Sequence, residues 1–290
     1  MTTCVALSVI IVTHNSAAVI DKLLGGLPTD IEIICVDNAS ADEIALVVKS
    51  PRVKLIRNSQ NLGYGAACNR GAAVATGEFL FFVNPDIRLF DNSFTEIISG
   101  IDRYPDCAVF SPRIESDRGR GENRDYNFIE KATCPRLVRL RSLFTGDCCV
   151  HFLHGGAFII KRATFRELDG FDERIFLYYE DDDLSARLLA KREPIVYLHS
   201  ARVRHSGNQS ALPTLARRFT MSRHKKRSEI YVRRKYGIRY YRVLDIADLF
   251  ARVVLYAVTL NPFRLFGAAG RLCGALSAWG RNISGTSVNR

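Results

Sequence analysis

Leu7-Ser8-Val9-Ile10-Ile11-Val12, the stretch Ala17 to Leu27, and Ile31-Glu32-Ile33-Ile34-Cys35-Val36 together decide the fold class. The outer two are continuous apolar runs rich in β-branched residues, as in strands buried on both faces. The middle stretch places Val19, Leu23, Leu24 and Leu27 at helical spacing, with Ser16 positioned as a cap and Pro28 closing the run. Strand, helix, strand predicts a parallel sheet.

Working outward, strand-like runs recur at Val53 to Ile56, Phe79 to Val83, Ala157 to Ile160 and Ile195 to Leu198. Helical stretches are expected at Ala41 to Lys49, Ala66 to Ala75 and Asp183 to Lys191, the last with Asp182 or Asp183 as its cap. Residues 1–110 read as a doubly wound nucleotide-binding half. From Ser111 to Cys149 the periodicity fails, and the segment reads as a long connecting or substrate-facing stretch. Residues 111–210 form the acceptor and catalytic half, and the domain closes near residue 210.

Charge is distributed unevenly. The chain of 290 residues carries a formal +11, yet residues 202–242 hold thirteen Lys/Arg against the single acid Glu229. A near-neutral body with one basic segment points to an anionic partner there: membrane phospholipid, a diphosphate ligand or nucleic acid. Residues 211–290 read as a basic amphipathic helical extension, because Leu249, Phe250, Val253, Val254 and Tyr256 flank Arg252 after the run His224-Lys225-Lys226-Arg227. That combination suits an anionic membrane surface contacted by residues 212–290; a small packed helical subdomain is the alternative. No stretch has eighteen uncharged apolar residues, so no spanning helix is expected. The eight cysteines show no C-x-x-C spacing and several sit in apolar runs, which reads as reduced core residues of a cytosolic protein. The N-terminus lacks a basic region and a cleavage site and reads as a first strand.

Polar residues cluster where the strands end. Val36-Asp37-Asn38-Ala39-Ser40 closes the second strand, at the edge where α/β proteins bind ligands. Asp37 there suits a base or ribose hydrogen bond, or equally the first acid of a turn. Asn61-Leu62-Gly63-Tyr64-Gly65 runs to Cys68-Asn69-Arg70-Gly71 and lets backbone approach a ligand as a helix begins. It is no dinucleotide fingerprint, since Cys68 occupies the third glycine's place. Asn84-Pro85-Asp86 ends the Phe79 to Val83 run and places a carboxylate suited to a cation bridging phosphates. Glu180-Asp181-Asp182-Asp183 sets four acids together, more than a cap requires, and such crowding raises carboxyl pKa values toward general-base use. His205 follows the Ile195 strand, where an imidazole can complete a metal site.

In this order, Ser8 to Asn15, Val36 to Ser40, Asn61 to Gly71, Asn84 to Asp86, Gly155-Gly156-Ala157, Glu180 to Leu184 and His205 resemble the inverting family 2 glycosyltransferases. The rhamnosyltransferase-like branch of bacterial surface-polysaccharide synthesis is the most similar, over roughly residues 6–210. The resemblance implies a GT-A fold, α/β with a mostly parallel central sheet, followed by the C-terminal helical extension. It implies that Thr13, Asn15, Asp37, Asn38, Asn61, Gly63, Asn69, Asn84 and Asp86 bind the nucleotide-sugar. Asp86 and His205 would hold Mg2+ or Mn2+, although the metal motif, often Asp-x-Asp, here begins with Asn84. Asp181 corresponds to the catalytic base with Glu180 and Asp183 beside it, the extra acid Asp182 leaving the register open by one. His154, Gly155 and Gly156 would meet the acceptor.

The implied activity is transfer of a sugar, rhamnose from dTDP-rhamnose by preference, to a saccharide or lipid-linked saccharide at the inner face of the cytoplasmic membrane. A nucleotidylyltransferase, a nucleic-acid-binding protein and an inactive scaffold are the competing readings. The first lacks its Gly-rich basic loop after Val12, and nothing in residues 1–200 requires nucleic acid.

Overall fold

The computed structural model describes residues 6–44, 48, 51–135, 144–206 and 214–278. The chain divides into two compact units, one of residues 1–174 and 180–212, the other of residues 175–179 and 213–290.

The first unit is built on one open sheet of strands β1 (Leu7–Thr13), β2 (Glu32–Asp37), β3 (Val53–Arg57), β4 (Phe79–Val83), β5 (Ile87–Leu89), β6 (Val109–Ser116), β7 (Cys148–Val150), β8 (Ala157–Lys161) and β9 (Ile195–His205). The order is β3-β2-β1-β4-β8-β6-β9-β5, with β7 on β9. Ladders β1–β2, β1–β4, β2–β3 and β6–β9 are parallel, whereas β4–β8, β6–β8, β5–β9 and β7–β9 are antiparallel. The sheet is mostly parallel: β1, β2, β3, β4, β6 and β9 run the same way, and β5, β7 and β8 are reversed.

Period-2 alternation sends successive strand residues to opposite faces, and both faces are covered. Val9, Ile11, Ile33, Cys35, Phe79 and Phe81 pack with Ile20, Leu23 and Leu24 of α1 (Ala17–Gly25) and Ile97 and Ile101 of α3 (Ser93–Arg103). Ile10, Val12, Ile34, Val36, Leu80 and Phe82 pack instead with Ala67, Cys68 and Ala72 of α2 (Tyr64–Val74), Phe165 of α5 (Arg162–Glu167), and Leu184 and Leu188 of α6 (Glu180–Ala190). Gly71 lets α2 lie close to the sheet: a Cβ there would stand 2.6 Å from Ile10 Cγ2.

Several expectations need correction. Ser16 makes no side-chain cap to α1; its hydroxyl lies by the backbone of His14. The stretch Ser111 to Cys149 is not irregular throughout, since it contains most of β6, the short helix α4 (Phe128–Thr133) and the start of β7. Pro112 and Arg113 hid β6 from the periodicity, and the ladder tolerates the proline by shifting register between those two residues. Helix α6 begins at Glu180, so neither Asp182 nor Asp183 is its cap; all four acids form its first turn. Cys134, Cys148 and Cys149 are exposed, whereas Cys35 and Cys68 are core residues. The helix expected over Ala41 to Lys49 falls largely outside the described residues.

The second unit carries α7 (Leu215–Lys235), α8 (Arg242–Val258) and α9 (Pro262–Ser277). Gly270 and Gly274 bring α9 against α7, since a Cβ at either would meet the Phe219 or Arg223 carbonyl oxygen at 2.2 and 2.6 Å. Lys226 is buried with its ammonium 2.8 Å from Asp245 and 3.3 Å from Glu229, a paired charge tying α7 to α8. No helix among the described residues is long and apolar enough to cross a membrane.

Candidate active site

Strand direction gathers the polar residues on one edge. Thr13 is level with Asp37, and Asp37 with Arg57, at the carboxyl ends of β1, β2 and β3. Val83 ends β4 opposite Ala157, which starts antiparallel β8, so Asn84 to Asp86 and His154 to Gly156 meet at that same edge. His205 ends β9 opposite Ile87, and the Ser206 N–H donates to the Asp86 carbonyl.

Two amide side chains hold the β2 corner. Buried Asn38 donates to Asn61 Oδ1 at 2.9 Å and to the Gly63 carbonyl at 3.1 Å, and its Oδ1 accepts from Asn58 and from Leu62 N–H. Gly63 has φ +90° where α2 begins, a conformation suited to glycine. Asp37 is buried, accepts from Ser40 N–H at 3.0 Å, and faces the Arg57 guanidinium at 3.9 Å. Asn15, in the left-handed region at φ +56°, accepts from Ala41 N–H at 2.7 Å. Thr13 is fully buried, its hydroxyl 3.5 Å from the Val36 carbonyl. Asn69 is engaged at both ends of its amide: it donates to the Phe171 carbonyl and Glu173 and accepts from Phe171 N–H. It thereby positions the turn at Gly170 and Phe171.

The four acids of α6 are separated by their surroundings. Asp183 is fully buried and paired with Arg187 at 2.9 Å. Asp182 is buried, accepts from Phe128 N–H, and pairs with Arg124 at 2.9 Å, whose guanidinium lies 3.8 Å over the Phe152 ring. Glu180 is buried and its Oε2 has no hydrogen-bond partner among the described residues. Asp181 alone of the four is a half-buried rather than a buried residue; its Oδ2 accepts from Gly155 N–H at 3.3 Å and its Oδ1 from Asp182 N–H at 2.9 Å. Burial, then repulsion from Asp181, pushes Glu180 well above the usual carboxyl range. Burial raises Asp181 against the pull of Arg124, and burial with Asp181 beside it lifts Asp182 to about 7.

The second cluster joins Asp86, His205, Glu122 and His154. His205 Nδ1 lies 2.8 Å from Glu122 Oε2, and its Nε2 lies 3.5 Å from Asp86 Oδ1. Burial opposes the imidazolium, but Asp86 and then Glu122 outweigh it and raise the pKa to about 9. His154, 3.9 Å from Glu122, is driven down to about 4 by burial and by His205; its Nδ1 accepts from Gly156 N–H at 3.0 Å. Tyr64 closes the edge by donating its hydroxyl to the Gly155 carbonyl at 2.9 Å. Asn84 N–H donates to the Gly156 carbonyl at 2.9 Å.

Among the described residues no group of three or more His, Cys, Asp and Glu is arranged to hold a metal ion. The Asp86–His205 pair nonetheless suits one: a carboxylate oxygen faces an imidazole Nε2, and Glu122 fixes the other ring nitrogen, the usual outer-shell support of a metal-bound histidine. Glu122, Arg124 and Tyr64 were missed in the sequence. The first two lie in the stretch read as connecting, where no periodicity marks them. Tyr64 stands among glycines, and no local pattern marks its reach to Gly155.

The sequence profile of the family described as Glycosyl transferase family 2 matches residues 8–169. The chain is 27% identical over 231 residues to the N-acetylglucosaminyl-diphospho-decaprenol L-rhamnosyltransferase of Mycobacterium tuberculosis, covering 69% of this chain and 75% of that protein. It is 26% identical over 197 residues to the low-salt glycan biosynthesis hexosyltransferase Agl10 of Haloferax volcanii, covering 65% and 62%. Among solved structures, S. aureus TarS 1-349 superposes with a TM-score of 0.56 at 16% identity, covering 93% of this chain and 91% of TarS 1-349. GalNAc-T7 with UDP, GalNAc and Mn2+ gives 0.55 at 18%, covering 89% and 58%. With the family profile spanning more than half its length and the fold shared with these transferases, the chain belongs to glycosyl transferase family 2 and is a glycosyltransferase of the GT-A fold.

Proposed function

We propose that the enzyme transfers a sugar, rhamnose from dTDP-rhamnose by preference, from a nucleotide-diphospho-sugar to a saccharide or lipid-linked saccharide acceptor in surface-polysaccharide synthesis. The observation that carries this reading is the carboxylate of Asp181, held by Gly155 N–H beside the edge that bears Asp37 and Asp86. The 27% identical rhamnosyltransferase supports the choice of sugar and of a lipid-linked acceptor.

Asp181 takes the proton of the acceptor hydroxyl, and that oxygen forms its bond to the anomeric carbon as the bond to the departing nucleoside diphosphate breaks. Attack from the opposite face inverts the configuration in one displacement. Asp37 and Asn15 lie where the nucleoside would bind, and Asn38, Asn61 and Gly63 form the backbone cradle beside it. Thr13, Asn69 and Asn84 would line the nucleotide-sugar pocket with them. Gly155, Gly156 and neutral His154 face the acceptor. Asp86 and His205 would hold Mg2+ or Mn2+, which supplies positive charge against the leaving diphosphate. Glu180 and Asp183 shape the field around Asp181.

The second unit, residues 213–290 with 175–179, would hold the enzyme peripherally at the inner face of the cytoplasmic membrane, given its basic helices and the exposed apolar residues of α8. The test of function is release of free nucleoside diphosphate from a panel of dTDP-, UDP- and GDP-sugars, with and without Mn2+ or Mg2+, using crude lipid-linked saccharide as acceptor. Turnover of one donor, dTDP-rhamnose first, supports the reading. Failure of every donor to bind or react would move the inactive-scaffold reading to first place.

A further inference from the structure

The second unit contains a cavity of about 470 Å3, walled by α7, α8 and α9 and lined by five cations, Arg218, Lys225, Arg252, Arg264 and Arg271. Two carboxylates share the lining, Asp245 and Asp248. Both are engaged: Asp245 with Lys226 and the Tyr240 hydroxyl at 2.8 Å each, Asp248 with Arg252 at 2.7 Å. Arg271 reaches Glu229 at 3.6 Å. Arg218, Lys225 and Arg264 have no carboxylate partner among the described residues. Each instead lies near an aromatic ring, Phe263 at 4.9 Å, Tyr178 at 4.9 Å and Tyr256 at 5.9 Å respectively. Three uncompensated cations converging on one hollow repel one another, a cost that an anion would remove. The room is kept by Gly267, where a Cβ would stand 2.9 Å from Arg218 Nε.

The cavity borders an apolar surface. On α8, Leu249, Arg252 and Tyr256 share the face that lines the hollow. Around the helix, Leu244 and Leu255 border the Asp248 side of that lining and continue, away from it, into exposed Val243, Phe250, Val254 and Val258; Leu260 follows in the turn to α9. With Phe250, Val254 and Leu255 between them, Val243 and Leu244 at one end and Val258 at the other, 74%, 68% and 76% exposed, make a stripe along the helix of the kind that marks an interaction surface. A ligand matching both features has an anionic head beside an apolar body.

We propose that this cavity is a binding site for the phosphate head of an anionic membrane lipid, seated among Arg218, Lys225 and Arg264 while the α8 stripe enters the acyl boundary. The inference deepens the membrane reading above, from a diffuse basic surface to a defined lipid-phosphate site.

The test compares sedimentation of the full chain with phosphatidylglycerol–phosphatidylcholine vesicles and with phosphatidylcholine vesicles at physiological salt. Three proteins are compared: wild type, Arg218→Gln with Arg264→Gln in the cavity, and Lys235→Gln with Arg239→Gln outside it. Nonspecific attraction loses roughly fivefold per charge removed. The expected result is binding that requires phosphatidylglycerol, with the cavity pair at least tenfold weaker than the equally charged control pair. Thermal melting checks that both variants are folded, and Phe250→Ser with Val254→Ser supplies a second variant expected to lose vesicle binding without loss of cavity charge. Equal losses in the two charge pairs would overturn the cavity site while leaving membrane association standing. Failure of wild type to bind either vesicle would overturn both. A stable dimer in light scattering that the Phe250 and Val254 substitutions dissociate would assign the stripe to a second copy and overturn the proposal as well.

Discussion

The Gly155 N–H donates to Asp181 Oδ2 at 3.3 Å, and a Cβ at position 155 would lie 3.3 Å from that same oxygen. The glycine sets the carboxylate's position both by a hydrogen bond and by leaving room for it. Gly155→Ala keeps the N–H but displaces the carboxylate by a few tenths of an ångström. Steady-state kinetics should show kcat lowered roughly tenfold with donor KM within about twofold, the pattern of a misplaced base rather than a damaged donor site.

Glu122 holds His205 Nδ1 at 2.8 Å, and this fixes which ring nitrogen faces Asp86. Glu122→Gln should raise the Mn2+ concentration for half-maximal activity by roughly 10–100-fold, with much of the maximal rate recovered at saturating metal. A titration of activity against Mn2+ reads this directly; an unchanged midpoint would remove Glu122 from the metal-supporting role.

Glu180 is buried with an Oε2 unpartnered among the described residues, and burial raises its pKa well above the ordinary carboxyl value. Folding therefore favours its protonated form. The penalty for ionising it is absent below about pH 4 and grows as pH rises toward the raised folded value, so stability falls with increasing pH over that window. Glu180→Gln should remove that penalty, roughly 1–3 kcal/mol at full ionisation. Thermal melts from pH 4 to 8 should show variant and wild type close together at acid pH and the variant several degrees higher at pH 8. A gap independent of pH would contradict the assignment.

The fold was legible because short continuous apolar runs, β-branched in Leu7 to Val12 and aromatic in Phe79 to Val83, read as strands covered on both faces. β6 escaped notice because Pro112 interrupts its pattern, and the continuation of β9 past Leu198 because Arg202 and Arg204 alternate with buried Ala201 and Val203 on a half-covered edge. The candidate site was legible in part: Asp37 ends β2 and Asp86 follows β4, so strand direction carries both to one edge, and the 180–183 acids open helix α6. Glu122, Arg124 and the spent amide of Asn69 were not, because each depends on contacts across 58 or more residues of sequence that no local pattern encodes. The register among the four acids likewise needed the fold: only packing distinguishes Asp183, paired with Arg187, from Asp181, which faces Gly155.

The most direct test of the account is single-turnover sugar transfer by Asp181→Asn beside Asp182→Asn, each with donor affinity measured separately. Asp181→Asn is expected to lose about 10²–10⁴-fold in the chemical step while binding donor as wild type does. Wild-type activity is expected to rise with pH through a value above the ordinary carboxyl range, because the base must be ionised. Asp182→Asn should lose less in the chemical step and more in thermal stability, since its carboxylate holds Arg124 and Phe128. Transfer by Asp181→Asn within a few-fold of wild type would contradict the assignment of Asp181 as the base.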